Sequence, residues 1–374
     1  MSRRRDLVLG SVLWISASAL TANAGPIGGY VQTNLVSSVS GLAETTDTSL
    51  INPWGVSETA TSPLWVSDQG TGVATFYTIP SATPLTVTGR SIFTSGGSPT
   101  GEVAAGGFGG ASFIFANLNG TIVARVGGVA TTEVTTSGAV YTGLAINQAN
   151  TLLYAADSKN GVINIFNTSW TQVGTIATPA SVAAMGLVPF NVQDIGGTVY
   201  VTYALPGHSA ETTAAGGEGA VAKFSESGTL LSSFTSPDLA SPWGIALAPA
   251  NFGEFSNDLL VANFAYGDLS AAGGEINVYN PTTGAFLDTL DSSSSFQGLW
   301  ALTFGNGGNG GNPDVLYFTT GLSSESGGLL AAISVPEPSA LVQFGTALGL
   351  IGLIGMRRSR KKSARSLPED CRKA

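Results

Sequence analysis

The sequence has few of the residues on which enzyme chemistry usually depends. Its 374 residues include one cysteine, Cys371, and one histidine, His208. A lone cysteine cannot form an internal disulfide, so the folded part must be stabilised by an ordinary hydrophobic core. One histidine excludes a metal site made of several histidines and a His–His acid/base pair. Because no G-x-S-x-G motif accompanies His208, we interpret it as a loop residue and predict no catalytic residue.

Basic residues are also scarce over most of the chain. Residues 25–338 contain four Lys or Arg against 21 Asp or Glu, a net charge of −17. A segment this acidic repels nucleic acid and anionic lipid headgroups. We therefore exclude nucleic acid as a partner, whereas cations are compatible with this charge.

The N-terminus carries one of the two long apolar runs. Three arginines at positions 3–5 precede an apolar stretch over residues 7–20, and Ala22 and Ala24 complete an A-x-A cleavage site. That order is typical of a secretory signal peptide. We predict a signal peptide over residues 1–24 that engages the secretion translocon. The alternative is an uncleaved N-terminal anchor.

The C-terminus has three parts in a fixed order. A short motif comes first: Val335, Pro336, Glu337 and Pro338. An apolar run over residues 340–356 follows, and after it a basic cluster: Arg357, Arg358, Arg360, Lys361 and Lys362. As a helix, this run spans roughly 26 Å, near the thickness of a bilayer's hydrocarbon core, about 30 Å. We predict one transmembrane helix here, with the basic cluster on the cytoplasmic side.

This three-part order resembles the PEP-CTERM sorting signal of Gram-negative bacteria. The resemblance covers residues 335–365 and leaves residues 366–374 as a cytoplasmic tail. It implies recognition and processing by an exosortase, a membrane protease. It also implies a precursor tethered to the inner membrane and delivery to the cell surface or an extracellular matrix of exopolysaccharide.

Between these ends, residues 25–334 favour strands over helices. The chain has 50 glycines and only 10% charged residues. Runs rich in Val, Ile, Thr and aromatic residues are bounded by Gly, Asn, Asp and Pro, which is typical of strands and turns. No long amphipathic helical pattern interrupts them. We predict an all-β domain over residues 25–334.

One unit recurs six times in this domain. Each copy opens with a Pro-Trp-Gly-like tripeptide and continues with alternating strands and turns. The copies open at Pro53-Trp54-Gly55, Pro99-Thr100-Gly101, Tyr141-Thr142-Gly143, Pro189-Phe190-Asn191, Pro242-Trp243-Gly244 and Gly298-Leu299-Trp300. Spacings of roughly 40 to 57 residues are those of β-propeller blades. We predict six blades, with seven blades or an open solenoid as alternatives.

The sixth copy has only three strands before the C-terminal motif. At the other end of the domain, residues 30–37 form an alternating segment with no partner of their own. Pairing this segment with the sixth copy would hide the edge that an open array exposes. We therefore predict that this N-terminal strand closes the ring.

Several of these motifs also resemble a known family. Asn52-Pro53-Trp54-Gly55, the Ser-Pro-Leu-Trp-Val-Ser-Asp segment at residues 62–68 and the Gly-Leu-Trp-Ala-Leu-Thr-Phe segment at residues 298–304 carry the likeness. They are similar to an uncharacterised bacterial family of NHL-like β-propellers, some with PEP-CTERM tails. The resemblance covers most of residues 30–333. It implies the propeller fold and no particular chemistry.

Five residues near the blade starts are the candidate ligand contacts. In a propeller these positions lie near the central channel: Asn52, Trp54, Asn191, Trp243 and Trp300. The tryptophans are interpreted either as core packing or as a platform for a sugar. Carbonyl oxygens at this level are of the type that Ca²⁺ binds, but the positions are mostly neutral. We therefore predict no cofactor and no metal residue, with Ca²⁺ as the alternative.

Two aspartates and two glycine-rich segments have structural interpretations. Asp68 and Asp157 precede glycine-containing turns, where an Asp side chain accepts backbone N–H groups; a metal ligand is the alternative. Residues 106–110 and 305–311 lack the Lys-Ser/Thr of a phosphate-binding loop and are predicted to be flexible.

The functional hypothesis follows from location more than from any site. The chain is predicted to be an exported, non-enzymatic propeller of the cell envelope or exopolysaccharide matrix, with a binding or structural role. One alternative is a Ca²⁺-dependent propeller hydrolase or lyase. The other is a carbohydrate-binding propeller that uses the blade-start tryptophans.

Overall fold

The structure, a computed structural model, describes residues 26–27, 29–265, 274–291 and 298–335. These residues form six antiparallel sheets with few helices. Blade 1 consists of β4 (Pro53–Ser57), β5 (Leu64–Asp68), β6 (Val73–Thr78) and β7 (Gly89–Thr94). Blade 2 consists of β8 (Pro99–Ala104), β9 (Phe113–Asn117), β10 (Thr121–Val126) and β11 (Val129–Thr135).

Blades 3 to 5 repeat this order of four consecutive strands. Blade 3 consists of β12 (Tyr141–Ile146), β13 (Leu152–Asp157), β14 (Val162–Asn167) and β15 (Gln172–Ala177). Blade 4 consists of β16 (Val188–Ile195), β17 (Thr198–Ala204), β18 (Ala220–Ser225) and β19 (Leu230–Phe234). Blade 5 consists of β20 (Pro242–Leu247), β21 (Leu259–Asn263), β22 (Ile276–Tyr279) and β23 (Phe286–Asp291).

Blade 6 combines the two ends of the domain. Its first three strands are β24 (Leu299–Phe304), β25 (Leu316–Thr320) and β26 (Leu329–Ser334), and its fourth is β2 (Tyr30–Ser37). β2 pairs antiparallel with β26, with Val31 opposite Ser334 and Ser37 opposite Leu329. The prediction that residues 30–37 close the ring is confirmed.

The short remaining elements decorate this ring. β1 (Pro26–Ile27) pairs antiparallel with β2 on its outer side, and β3 (Thr45–Thr46) pairs parallel with β2. The helices are α1 (Ala180–Ala183), α2 (His208–Thr213) and α3 (Leu322–Glu325), with 3₁₀ turns at Phe108–Gly110 and Gly253–Phe255.

The first strands of the blades line a common axis. Each contacts the first strand of the next blade, from β4 through β8, β12, β16, β20 and β24 back to β4. A separate buried apolar cluster fills each of the six gaps between adjacent blades. The protein is therefore a six-bladed β-propeller, as predicted, and the alternatives of seven blades or an open solenoid are wrong.

The recurrent tripeptide marks a β-bulge. In all six blades the pairing of the first strand with the second shifts register at this point. The bulge brings the glycine against the neighbouring blade: a Cβ on Gly55 would lie 2.5 Å from the carbonyl oxygen of Thr100. Gly is thus favoured at this position in blades 1, 2, 3 and 5, whereas blades 4 and 6 place Asn191 and Ala301 there.

The segment at residues 305–311 is tied down and is not the free loop expected from its composition. Asn306 Nδ2 donates to the carbonyl oxygens of Thr59 and Ser62 at 2.7 and 2.9 Å. The backbone N–H of Ile79 donates to Asn309 O at 2.7 Å. These bonds join blade 6 to blade 1, so the ring is closed a second time. At residues 106–110, buried Phe108 packs edge-on against Trp170 of blade 3.

The predicted membrane segment lies outside the part of the chain that the structure describes. Among the described residues, no helix has the length and apolar character needed to cross a bilayer. The sorting motif beyond Val335, the basic cluster and the signal-peptide cleavage site also fall outside the described ranges. These remain predictions.

Candidate functional site at the propeller axis

Aromatic side chains fill one end of the axis, which we call the upper end because the first strands begin there. This axial cap comprises Trp54, Phe190, Trp243, Phe264 and Trp300. Trp54 and Trp300 stack with ring centroids 3.7 Å apart, and Trp243 meets both edge-on. Phe264 also stacks on Trp300, with ring centroids 4.0 Å apart. The three indoles are at most 4% exposed, so the cap is closed packing.

The candidate ligand contacts come together here, but their polar atoms are used within the protein. Trp300 Nε1 donates to Asn52 Oδ1 at 2.8 Å, and Asn191 Nδ2 donates to Trp243 O at 3.0 Å. Trp243 Nε1 donates to Thr142 O at 3.0 Å. Trp54 Nε1, in contrast, is buried without an acceptor among the described residues. A ligand role for these residues remains a prediction.

A shared turn presents the three tryptophans. The residue before the first strand is left-handed in each blade that carries one: Asn52 has φ 46°, Ser241 has φ 47° and Gly298 has φ 70°. Asn and Gly adopt this conformation readily, whereas Ser adopts it with strain. Blades 5, 6 and 1 are adjacent in the ring, so the three indoles meet on one side of the axis.

Below the cap the channel narrows to a small polar space. Glu102, Asn191 and Gln193 are its polar lining residues, together with glycines and aliphatic side chains of the first strands. The space leaves about 10 Å³ for the centre of a water molecule, which is about the room that one water needs. This space therefore has room for about one water molecule and not for a sugar ring.

Glu102 is an exception to the repeat. The equivalent position in the other five blades is aliphatic: Val56, Leu144, Val192, Ile245 and Leu302. Its buried carboxylate accepts from Ser57 Oγ at 3.1 Å and Ser67 Oγ at 2.8 Å. Burial raises the pKa of Glu102 to about 8. No catalytic or binding motif marks Glu102 in the sequence, although a Glu in place of an aliphatic residue in one repeat of six was a usable signal.

Glu58 adds a second perturbed carboxyl beyond the end of β4. Burial, and then the charge of Glu102, raise the pKa of Glu58 to about 8. Its Oε2 is buried and has no hydrogen-bond partner among the described residues. Among the described residues, neither Glu58 nor Glu102 forms an ion pair with a basic side chain. Both carboxyl groups therefore hold protons at neutral pH. The lower end of the axis is thus acidic in composition and largely neutral in charge.

Three titratable side chains meet above the axial cap. His208 on α2 contacts Glu325 on α3, with Nε2 2.7 Å from Oε2. Its Nδ1 lies 3.8 Å from Oε2 of Glu211. The His208 side chain is 58% exposed, whereas those of Glu211 and Glu325 are 7% and 15% exposed. Hydrogen bonding to Glu211 and then Glu325 raises the pKa of His208 to about 10, so the imidazole is charged at neutral pH.

His208 also ends a column of rings. Its ring centroid lies 6.2 Å from that of Phe264, which stacks on Trp300, which stacks on Trp54. His208 lies at the start of α2, in the connection between β17 and β18, and it contacts residues of two other blades. Its partner Glu325 lies 117 positions further along the chain, and no local motif links the two.

The two turn aspartates behave differently. Asp157 Oδ1 accepts the backbone N–H groups of Val140 and Asn160, each at 3.2 Å, which confirms structural capping. Asp68 instead accepts the N–H of Thr75 on the following strand at 3.0 Å, and its Oδ1 is buried without a partner in the part of the chain that the structure describes. Burial raises the pKa of Asp68 well above its usual range. Within the described ranges no three His, Cys, Asp or Glu side chains form a group able to hold a metal.

Comparison with known proteins supports the fold and leaves the activity open. No protein-family profile matches the chain. Two uncharacterized proteins of Acanthamoeba polyphaga mimivirus are each 28% identical, over 268 and 278 residues. The alignments cover 63% and 66% of this chain and span 65% and 70% of those proteins. A solved streptogramin B lyase structure is similar with a TM-score of 0.51 at 11% identity, covering 82% of this chain and 97% of that one.

Proposed function

We propose that the chain is an exported propeller of the cell envelope or exopolysaccharide matrix with a binding or structural role. The observation that supports this most is the axial cap. A small-molecule site on the axis needs free concave space and converging polar groups. At the upper end that space is filled by five aromatic side chains, all of them buried.

The same packing weakens the two alternatives. A sugar platform requires exposed ring faces, and the faces of Trp54 and Trp300 are stacked on each other. A Ca²⁺ site at the blade starts requires free carbonyl oxygens, and Asn52 Oδ1 already accepts from Trp300 Nε1. The streptogramin B lyase shares the fold at an identity too low to carry its activity over.

Export and sorting form the second part of the proposal. The proposed signal peptide ends two residues before the first strand begins at Pro26, and β26 ends at Ser334, immediately before the sorting motif. In a membrane-tethered precursor the span would follow blade 6 with almost no linker. An exosortase is the proposed processing partner, and exopolysaccharide is the proposed partner after release.

The sorting motif can be tested with a matched pair of variants. The full-length chain would be expressed in a Gram-negative host that has an exosortase, and released protein would be weighed by intact mass spectrometry. Wild type is expected outside the cell without residues beyond the motif. Pro336→Ala with Glu337→Ala is expected to stay in the membrane fraction with its tail attached. The control Pro368→Ala with Glu369→Ala changes the same residue pair in the terminal tail and should behave like wild type.

Release of the Pro336→Ala/Glu337→Ala variant with its tail removed would count against sorting by this motif.

The binding role has a separate test. Thermal shifts of the full-length chain would be recorded with a polysaccharide panel and with Ca²⁺. A shift with a polysaccharide that Trp54→Phe leaves unchanged supports a binding surface away from the cap. A Ca²⁺ shift would favour the enzyme alternative.

A further inference from the structure

Two long connections extend over the axial cap from blades that are not neighbours. Residues 205–219 join β17 to β18 in blade 4, and residues 321–328 join β25 to β26 in blade 6. The corresponding connections in blades 1 to 3 contain three or four residues, and that of blade 5, residues 264–275, lies mostly outside the described ranges. The His208–Glu325 ion pair joins the two long connections. Their ends therefore meet above blade 5 and the axis.

The connection of blade 6 lies directly on the cap. A side chain at Gly321 would approach Asn52 Oδ1 to 2.7 Å and Trp300 Nε1 to 3.2 Å. From blade 4, the ring of His208 packs near Phe264, which covers the outer face of Trp300. Displacing either connection would uncover part of the aromatic column.

Glu325 combines a strained backbone with a mostly buried carboxylate. Ser324 and Glu325 are both left-handed, with φ of 53° and 67°, a conformation that non-glycine residues adopt only when surrounding contacts hold it. Glu325 Oε1 is buried without a hydrogen-bond partner among the described residues, while Oε2 contacts His208. The ion pair is therefore the contact that compensates this strained, mostly buried carboxylate.

We propose that the His208–Glu325 ion pair is a latch that holds residues 205–219 and 321–328 closed over the axial cap. Opening the latch exposes the outer rings of the column, Phe264 and then Trp300. Among the residues that the structure describes, the titratable groups facing His208 are Glu211 on its own helix and Glu325 on α3. Phe264, the third neighbour, carries no charge. Both carboxylates favour the imidazolium, so the latch is closed at neutral pH and opens as His208 loses its proton in alkaline solution.

Hydrogen–deuterium exchange of the full-length chain tests the latch peptide by peptide. At pH 7, His208→Gln and Glu325→Gln should each speed exchange in both connections and at residues 299–304. A partly exposed ion pair corresponds to roughly a two- to fivefold increase in rate. The matched control is Glu218→Gln, which removes a carboxylate from the same blade 4 connection but not one that contacts His208. It should leave the blade 6 connection at the wild-type rate.

A second variant separates charge from shape. His208→Lys keeps a cation beside Glu325, so its protection should persist at pH 9 and above. In wild type, the protection of both connections against exchange should decline at pH 9 and above, once the rates are corrected for the intrinsic pH dependence of exchange. Far-UV circular dichroism confirms that each variant is folded. The latch is overturned if the Gln variants exchange like wild type, or if each loosens only its own connection.

Discussion

The two ends of the propeller axis are built from the same repeated bulge and opposite chemistry. At the upper end, a Trp or Phe lies near the start of the first strand in four blades, and these rings form most of the axial cap. At the lower end, one repeat of six places Glu102 where the others place aliphatic residues. The repeated backbone bulge therefore specifies the ring, and the side chains within each repeat determine whether an end of the axis is aromatic or acidic.

The difference predicts where pH acts on stability. The cap is stabilised by burial of aromatic rings, which do not titrate. Glu102 has a folded-state pKa of about 8 against a usual value of 4.5. Because the folded state keeps this proton after the unfolded chain has released it, its contribution is complete below pH 4.5 and is lost as pH rises through about 8. Alkaline solution therefore weakens the lower end first.

The largest expected effect is at the upper end, for Trp300→Ala. Trp300 is fully buried, stacks on Trp54 and Phe264 and donates to Asn52. Removing a buried aromatic side chain leaves a cavity and costs about 3–5 kcal/mol of unfolding free energy. Urea denaturation followed by circular dichroism measures this loss.

Trp300→Phe is the matched control for that loss. It keeps an aromatic ring in the stack but removes the indole bond to Asn52 Oδ1 and part of the buried ring volume, so we expect a smaller cost of about 1–3 kcal/mol. Equal costs for the Ala and Phe variants would show that a phenyl ring at this position adds nothing to the stability of the cap. That outcome would break the contrast between the two ends.

The next largest effect is expected at the lower end, for Glu102→Gln. The amide has nearly the same shape and no charge to bury. At pH 9 the variant should be more stable than wild type by about 2 kcal/mol, because the wild-type carboxylate is charged and desolvated. The gain should disappear near pH 4.5, where wild type is neutral in both states. Denaturation curves across this range measure it.

Glu133→Gln provides the control, because Glu133 lies on β11, the outer strand of blade 2. Its stability should follow the wild-type pH profile. A Glu102→Gln profile parallel to that of wild type between pH 4.5 and 9 would assign the pH dependence to other groups, with Glu58 as the first to examine.

Sequence patterns predicted the ring well because each blade is a local unit. Three features of neighbouring residues carried the prediction: the bulged tripeptide, the strand alternation, and the alternating N-terminal segment Tyr30–Ser37. The cap was located from the blade-start tryptophans, since equivalent repeat positions converge on the axis. Core packing was one of the two interpretations of these tryptophans, and their burial confirms it. Their contacts with Phe264 and Gly321 were not predictable, because those residues come from connections that follow no repeat.

The titratable sites were harder to predict for the same reason. His208 and Glu325 come from different blades and meet only through the closed ring. Glycine-rich composition was also misleading at residues 305–311. There, the side chains of Asn306 and Asn309 fix the segment to backbone carbonyls of blade 1. Long-range hydrogen bonds of this kind leave no periodic trace in the sequence.

This second closure gives an effect of intermediate size at the lower end. Asn306→Ala removes two hydrogen bonds to blade 1 and the acceptor for the N–H groups of Gly308 and Gly310. We expect a loss of about 1–2 kcal/mol in unfolding free energy. Asn309→Ala, which removes one exposed bond to Thr61 O at 3.1 Å, is the control and should cost less. Equal losses would mean that the buried bonds of Asn306 add nothing to closure.

The smallest effect is expected for His208→Gln, and its pH dependence returns to the upper end. His208 has a folded-state pKa of about 10 against a usual 6.5, so its stabilisation is complete below pH 6.5 and is lost as pH rises through about 10. Because the imidazole is more than half exposed, solvent screening limits the pair to less than about 1 kcal/mol. Urea midpoints at pH 6 should therefore be slightly lower for His208→Gln than for wild type, and the two should converge near pH 10.

The lower-end variant Glu102→Gln should diverge from wild type over part of the same range. Convergence of one variant and divergence of the other would separate a charged latch at one end from a buried neutral carboxyl at the other, whereas parallel curves for both would remove the contrast.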